Sequence, residues 1–583
     1  MSSRAAFVIC NSSLMAAAED SRPPPDIGGG VATAGRDAPR RVRSAPSCPS
    51  IFRSTIRKSD VQNLVTGCCL LATGYWLLGS WSRVSARSIL KAGQRQNDAK
   101  IQRTMCQNDA NFAIDNCQFD AYCKIELFFA ILSANRSRTR VAMELKRKCY
   151  DNLVDWKTGK TRQALLLNGA RQVGKTYIVE KFGRENYESF IEINFALEPA
   201  CKAIFDGTLD IRSILERLTA IRGDVKIIPG RTLLFLDEIQ DCPDARTAFK
   251  PLMLDGTFDV IASGSLLGIK YKKDRQKKTP RSIPVGFERE VTMHALSFEE
   301  YLEAKGFGND ALSLVRHCFE GHEIVPDAVN ARFHALIREY AVVGGMPAVV
   351  SAFMERGHYG EVQRLQEALV GDYIADIHKY ADKTDIPKIE NCFRAIPRIL
   401  SKENRKFKYA DVEDRGTARK FLSSVEWLRD AKLATFAECV NVALPGLSGY
   451  VKDEWFKLYL SDVGLLTSTY GMLAKRELLS DTLKGNVKGG IYENLIAGVL
   501  ERNGFPVRYY RNGPVEVEFM IETPDGVIPV EVKSGNGASR SLDRLLEDTS
   551  VPYGLKFTNG NVGVSGKKIT LPHYMAMFLR PSD

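Results

Sequence analysis

An α/β fold built around a parallel sheet is the architecture this sequence predicts, on three observations. Apolar runs of strand length recur at 164–167, 232–236 and 258–262, as strands buried on both faces require. The first leads straight into Gly169-Ala170-Arg171-Gln172-Val173-Gly174-Lys175-Thr176, and the second ends in Asp237-Glu238. Helical patterns lie between the runs, the trace of alternating strands and helices.

Size and composition bound the rest. A chain of 583 residues exceeds one hydrophobic core, and chains of that size divide into about three or four domains. With 44% hydrophobic and 26% charged residues, the composition is that of a globular protein. The net charge of +11 suggests nucleic acid only until it is located. Residues 1–142 hold 19 Lys+Arg against 10 Asp+Glu, leaving 62 basic and 60 acidic residues from 143 onward. Bulk charge there attracts no partner. Cys149, Cys201, Cys242, Cys318, Cys392 and Cys439 are far apart and unpaired in spacing, which predicts reduced thiols in a cytoplasmic protein. His317, Cys318 and His322 lack a second ligand pair at zinc spacing, so no metal site is predicted there.

Residues 1–60 combine Pro-Pro-Pro, Gly-Gly-Gly and scattered arginines without apolar periodicity, a low-complexity composition that supports no packed core. The apolar stretch 64–81 is short for a membrane span and contains Thr66, Gly67, Gly74 and Ser80. It also starts too far from Met1 for a signal peptide. Met143 opens Met-Glu-Leu-Lys-Arg-Lys directly before the ordered pattern. The extension 1–142 therefore reads either as an over-extended start that is not native protein or as a disordered or membrane-tethering segment; no membrane partner is expected.

The segment from Gly169 to Thr176 is Gly-x-x-x-x-Gly-Lys-Thr between a strand and a helix running from 175 to about 182. Its glycines let backbone N–H groups turn inward around phosphates, and the helix points its positive end at them. Gly169, Ala170, Arg171, Gln172, Val173, Gly174, Lys175 and Thr176 are thus the nucleotide-binding candidates. Lys175 is expected on the β- and γ-phosphates of ATP, and the Thr176 hydroxyl on Mg²⁺. Asp237, about sixty residues on, is assigned to the metal and Glu238 to the general base. Ser263-Gly264-Ser265 closes the third run, where Ser263 or Ser265 could orient the water or the γ-phosphate; Ser-Gly-Ser is equally common turn chemistry. Further strands are expected near 190–195 and 289–294.

The set Gly-Ala-Arg-Gln-Val-Gly-Lys-Thr (169–176), Leu-Asp-Glu-Ile-Gln (236–240), Ser-Gly-Ser (263–265) and Leu-Ser-Phe-Glu-Glu-Tyr (296–301) resembles a prokaryotic family of AAA-type ATPases carrying a C-terminal domain of unknown function. Gly-Gly-Met-Pro (344–347), Lys-Leu-Tyr-Leu-Ser-Asp-Val-Gly-Leu-Leu (457–466) and Tyr-Glu-Asn (492–494) extend the likeness over about 143–583. The resemblance implies a P-loop NTPase core over 143–305, a helical domain over 306–395 and a winged-helix-like segment over 396–484. It also implies a small α/β region similar to the PD-(D/E)XK nuclease fold over 485–583. One departure is that the family's Gly-Arg is here Gly286-Phe287; Arg289, two residues on, is the candidate replacement for a finger or sensor arginine.

In the middle region Lys402, Arg405, Lys406 and Lys408 alternate with Phe407 and Tyr409, a cluster suited either to nucleic-acid phosphates or to a solvated wing. Farther on, a helix is expected around 493–500, then strands over 515–521 and 527–533. Strand alternation puts Glu531 and Lys533 on one face and pairs Glu516 with Glu518. With Glu493 upstream, Glu518, Glu531 and Lys533 form a nuclease-like constellation in which carboxylates bind metal and lysine steadies the nucleophile. Glu518 stands where that pattern has Asp, and a charge pair between strands is the competing reading. The sequence thus predicts an ATP-binding and ATP-hydrolysing, Mg²⁺-dependent AAA-type switch, an ATPase whose nucleotide state reaches the later domains. The alternatives are an ATP-controlled nucleic-acid-binding protein or nuclease, and a non-hydrolysing scaffold. Partners expected besides ATP are nucleic acid or a protein docking on the later domains, and further copies of the chain.

Overall fold

The computed structural model describes residues 144–159, 163–223, 225–265, 284–535 and 537–581. Everything expected of 1–142, including 64–81, lies outside the described residues. The first sheet contains β1 (Ala164–Asn168), β2 (Ser189–Asn194), β3 (Thr232–Asp237), β4 (Phe258–Gly264) and β5 (Glu288–Thr292), in the order β2-β3-β4-β1-β5. Every neighbouring pair is parallel. β1 and β3 are buried at every position, so both faces need a cover. Leu165 and Leu167 pack with Ile178, Val179 and Phe182 of α2 (Lys175–Asn186), which follows α1 (Cys149–Thr158). Ala164 and Leu166 face the other way, against Ile214 and Leu218 of α3 (Ile211–Arg222). Beyond the short α4 (Pro243–Thr247), Phe249 and Leu252 of α5 (Phe249–Asp255) complete that side. The charged β5 takes an edge, where solvent satisfies its outer face.

Seven helices follow: α6 (Phe298–Ala304), α7 (Asn309–Glu320), α8 (Asp327–Val343), α9 (Pro347–Arg356), α10 (Tyr359–Tyr380), α11 (Ile386–Leu400) and α12 (Tyr409–Val412). Ser297 starts α6 with a capping box to Glu300, the function of Ser and Glu in the Ser-Phe-Glu-Glu motif. After α13 (Ala418–Asp430), β6 (Ala434–Val440) and β7 (Val451–Leu460) pair antiparallel. They share a sheet of order β7-β6-β8-β9 with β8 (Arg508–Asn512) and β9 (Val515–Val517).

The Gly-Gly-Met-Pro and Ser-Asp-Val-Gly motifs meet at the start of α14 (Val463–Thr469). Asp462, 1% exposed, accepts from the N–H groups of Gly464 (2.9 Å), Leu465 (3.1 Å) and Gly345 (2.7 Å). Gly344 holds φ +74°, and a Cβ there would stand 2.2 Å from Asp462 Oδ1, so this close approach requires glycine. Asp462→Ala strands three buried donors, which should cost about 1–3 kcal/mol. A lowered urea midpoint with unchanged slope would register that loss, and an unchanged midpoint would refute the capping role.

Past α15 (Gly471–Leu479), the long α16 (Asn486–Arg502) lies almost wholly within the core. A second mixed sheet, β10-β11-β12-β14-β13, holds β10 (Phe519–Thr523), β11 (Gly526–Val532), β12 (Gly554–Thr558), β13 (Gly563–Ser565) and β14 (Lys568–Pro572). Short α17 (Arg540–Leu545) joins β11 to β12. The single strand expected over 515–521 is broken at Glu518, where the chain leaves one sheet for the other. One hydrophobic cluster runs from Leu153 and Leu165 through Tyr340, Leu428 and Leu495 to Leu579. Among the described residues no helix is long and apolar enough to cross a membrane, and the six cysteines named above are free and buried.

Candidate functional site

The parallel sheet brings the ends of β1, β2, β3 and β4 to one rim, and the polar residues at those ends converge there. Gly169 leaves β1 at φ +151°, and a Cβ on it would lie 2.2 Å from Met293 O, so the backbone turns where no side chain fits. Gln172 at φ +65° and Gly174 at φ +96° complete the left-handed turns of the loop. Lys175 Nζ donates to Gly169 O and Ala170 O, each at 2.9 Å. Burial pushes its ammonium down to about 8, since a desolvated cation is disfavoured.

Asp237 ends β3 and gathers the neighbouring strands. Its Oδ2 accepts from Thr176 Oγ1 at 3.0 Å and Asn194 Nδ2 at 2.9 Å, while Oδ1 accepts from Ser263 Oγ and from Glu238 N at 3.1 Å. The Ser263 hydroxyl is therefore engaged with the carboxylate of Asp237. Ser265, just past β4, is buried. Glu238 adopts φ +52° and is held by a hydrogen bond from Gln240 Nε2. Burial raises its pKa, which suits a carboxylate that must take a proton. Among the described residues no group of three or more His, Cys, Asp or Glu is placed to hold a metal ion.

Three participants escaped sequence reading. Asn194 is one, although a polar residue at the end of an alternating strand is a usable signal. Arg147 is another: it donates to Val173 O (2.9 Å), His294 O (2.6 Å) and Glu300 Oε1 (3.2 Å), bracing the loop from before β1. The third is α10. Arg171 forms an ion pair with Asp376, Gln172 Nε2 donates to Asp372 Oδ2 at 2.7 Å, and Tyr373 OH donates to Arg171 O at 3.2 Å. Arg289, the candidate finger, instead lies exposed on edge strand β5 opposite Leu165, three residues short of the rim where Asn168 faces Thr292.

In the C-terminal sheet Lys533 Nζ meets Glu531 Oε1 at 2.5 Å and Glu518 Oε1 at 3.1 Å. Burial and the charge of Glu518 push Glu531 up to about 8. Glu493 does not join them through any hydrogen bond. Its carboxylate takes Arg405 (2.6 Å), Lys457 (3.0 Å) and Tyr459 OH (2.5 Å), and against its burial Lys457 and Arg405 bring it down to about 2. The basic cluster of the middle region is likewise occupied. Arg405 is on Glu493, Lys406 on Glu516 at 3.1 Å, and Lys402 on Asp411 at 2.7 Å, while Phe407 is buried. Folding thus pairs three of its four cations, while Lys408 is exposed.

The loop, the buried lysine and the Thr176–Asp237 pair define a P-loop nucleotide site. Residues 161–302 match the family described as an AAA domain, and 334–476 match a domain of unknown function, DUF8612, which crosses the boundary expected at 395–396. The chaperone protein ClpB of Mycoplasmoides gallisepticum is 30% identical over 140 residues, 21% of this chain and 19% of ClpB. The chain thus spans about a fifth of that relative's length. Among solved structures, a Walker-type ATPase of Pyrococcus abyssi gives a TM-score of 0.35 at 15% identity, covering 57% of this chain and 97% of its own. The Aeropyrum pernix Orc1 protein in complex with DNA gives 0.24 at 12% identity, covering 58% and 93%. Over residues 161–302 the chain is therefore similar to AAA domains.

Proposed function

We propose that the chain is an ATP-hydrolysing switch in which nucleotide state at the P-loop is passed to the helical and C-terminal regions. The observation that carries this reading is the convergence of Thr176, Asn194 and Ser263 on Asp237, with Glu238 beside it. A hydroxyl and a carboxylate in contact are the hard oxygen donors that magnesium accepts when phosphates and water supply the remainder. Bound there, magnesium would neutralise charge on the β- and γ-phosphates. The protein's own part is divided: the loop N–H groups and Lys175 hold the phosphates, Asn194 and Ser263 fix Asp237, and Glu238 takes the proton of the attacking water.

Transmission has a continuous route in α10. Near the loop it holds Arg171 and Gln172. Three turns earlier Gln366 Nε2 donates to Val342 O (3.0 Å) and Val343 O (2.8 Å) and its Oε1 accepts from Lys475. Those contacts adjoin the Gly344–Asp462 junction, which leads through β7 to Asn494 of α16, whose side chain pairs Leu460 on both backbone groups at 2.8 and 3.0 Å. The order α11, α12, α13, β6, β7 supports a winged-helix-like middle, and α16 followed by β10, β11, α17 and β12 supports a nuclease-like fold. The committed cations of Glu493 favour a charge-paired docking module there over a cutting centre. The test is phosphate release from ATP by the full chain with and without Mg²⁺, beside amide exchange in α10 with ATP or ADP. Turnover with nucleotide-dependent protection of α10 is expected; protection identical in both nucleotides would overturn the coupling.

A further inference from the structure

We propose that Arg171 is the cation that meets the γ-phosphate, and that Asp376 is its resting partner on α10. The inference rests on the ATPase reading above and gives it a specific switch. Arg171 is the third residue of the loop, at its tip, and its side chain is 45% exposed while that of Asp376 is 8% exposed. The carboxylate is buried on the packed face of α10, whereas the guanidinium that pairs with it is on the solvent side. Its charge reaches the reacting groups: it depresses Lys175, and Glu238 acts on it in return.

The other arginines near the rim are committed or misplaced. Arg147 spends all three nitrogens on Val173 O, His294 O and Glu300, and Arg289 stands three residues back on β5. A triphosphate brings charge that Lys175 alone does not balance, and phosphoryl transfer is accelerated by an arginine on the transferring group. A guanidinium matches a carboxylate and a phosphate with the same planar fork, so exchange of Asp376 for the γ-phosphate keeps its hydrogen bonds. Asp376 is then left buried without its cation, beside Asp372 and with Lys379 as the other nearby charge. That penalty loosens the seat of α10, which Gln172–Asp372 and the Tyr373 hydroxyl still tie to the loop. ADP has no γ-phosphate to draw Arg171 away, so the pair persists. The exchange thus distinguishes the two nucleotides. Arg171 is a catalytic residue in this scheme and Asp376 a positioning residue.

The experiment measures equilibrium affinity of the full chain for ATP and for ADP, with single-turnover phosphate release. Arg171→Ala should weaken ATP by about 10- to 100-fold, the span of one charged hydrogen-bonded contact, and leave ADP within about twofold. Release should slow by at least about 100-fold. Arg171→Lys, which keeps the ion pair and hence the fold, should recover affinity but not rate. Asp376→Asn should move the ATP-to-ADP ratio the opposite way, because it frees the competent state. Equal changes in ATP and ADP affinity for Arg171→Ala and Arg171→Lys would overturn the inference, as would a fall in thermal stability with an unchanged ratio. The ratio is read at equilibrium, so a chain that binds both nucleotides without turnover refutes the ATPase reading while the ratio still decides the role of Arg171. A chain binding neither refutes both.

Discussion

Lys175→Ala should lower ATP affinity by at least about 100-fold, because it removes the one buried cation that the P-loop aims at the β- and γ-phosphates. The lysine is 8% exposed and rests on two loop carbonyls, so its loss also leaves Gly169 O and Ala170 O without their donor. Its pKa of about 8 adds a pH signature. The sign is fixed by the charged form: phosphate binds the ammonium, so above pH 8 a proton must be taken up on binding, and affinity should fall by up to about tenfold per pH unit. Below pH 8 that dependence should vanish. A nucleotide titration from pH 6.5 to 9.5 reads both effects; equal affinity in the variant would remove Lys175 from the site.

Glu238→Gln should stop hydrolysis and keep the nucleotide, with turnover down by about 100- to 10,000-fold, the usual weight of a positioned base. The amide fills the same volume and still meets Gln240, but it cannot accept a proton from water. Thr176, Asn194 and Ser263 remain on Asp237, so the metal-side geometry is untouched. Rapid mixing with ATP followed by quench separates bound from hydrolysed nucleotide. Normal phosphate release in this variant would assign the base elsewhere.

What was legible in the chain follows the reach of each interaction. The loop, its strand and Asp237-Glu238 are local patterns: a run of leucines, a glycine spacing, two acids at a strand end. The strand expected near 190–195 is β2, Ser189–Asn194. The insertion of β4 between β1 and β3 has no local trace, so the partnership of Ser263 with Asp237 could not be read. The resemblance implied a helical domain over 306–395, but nothing in the sequence says that the helix through Tyr373 and Asp376 meets the P-loop some 200 residues earlier. The same limit explains Glu493 and the basic cluster. Arg405 and Glu493 are 88 residues apart, and isolated charges in sequence look solvated until folding pairs them. Glu518 was read inside a strand, whereas the structure uses it as the corner between two sheets.

The continuous core also bears on how such a chain can be taken apart. Met293, Leu296, Phe298 and Tyr301 of the nucleotide-binding module share one apolar cluster with Tyr340, Leu465, Tyr492 and Phe578, and the described residues belong to one compact unit. A seam drawn near 305 would cut through that cluster and wet both halves. The modules are therefore not interchangeable parts on a string: a recombinant swap of the ATPase segment would have to carry its matching helical face with it.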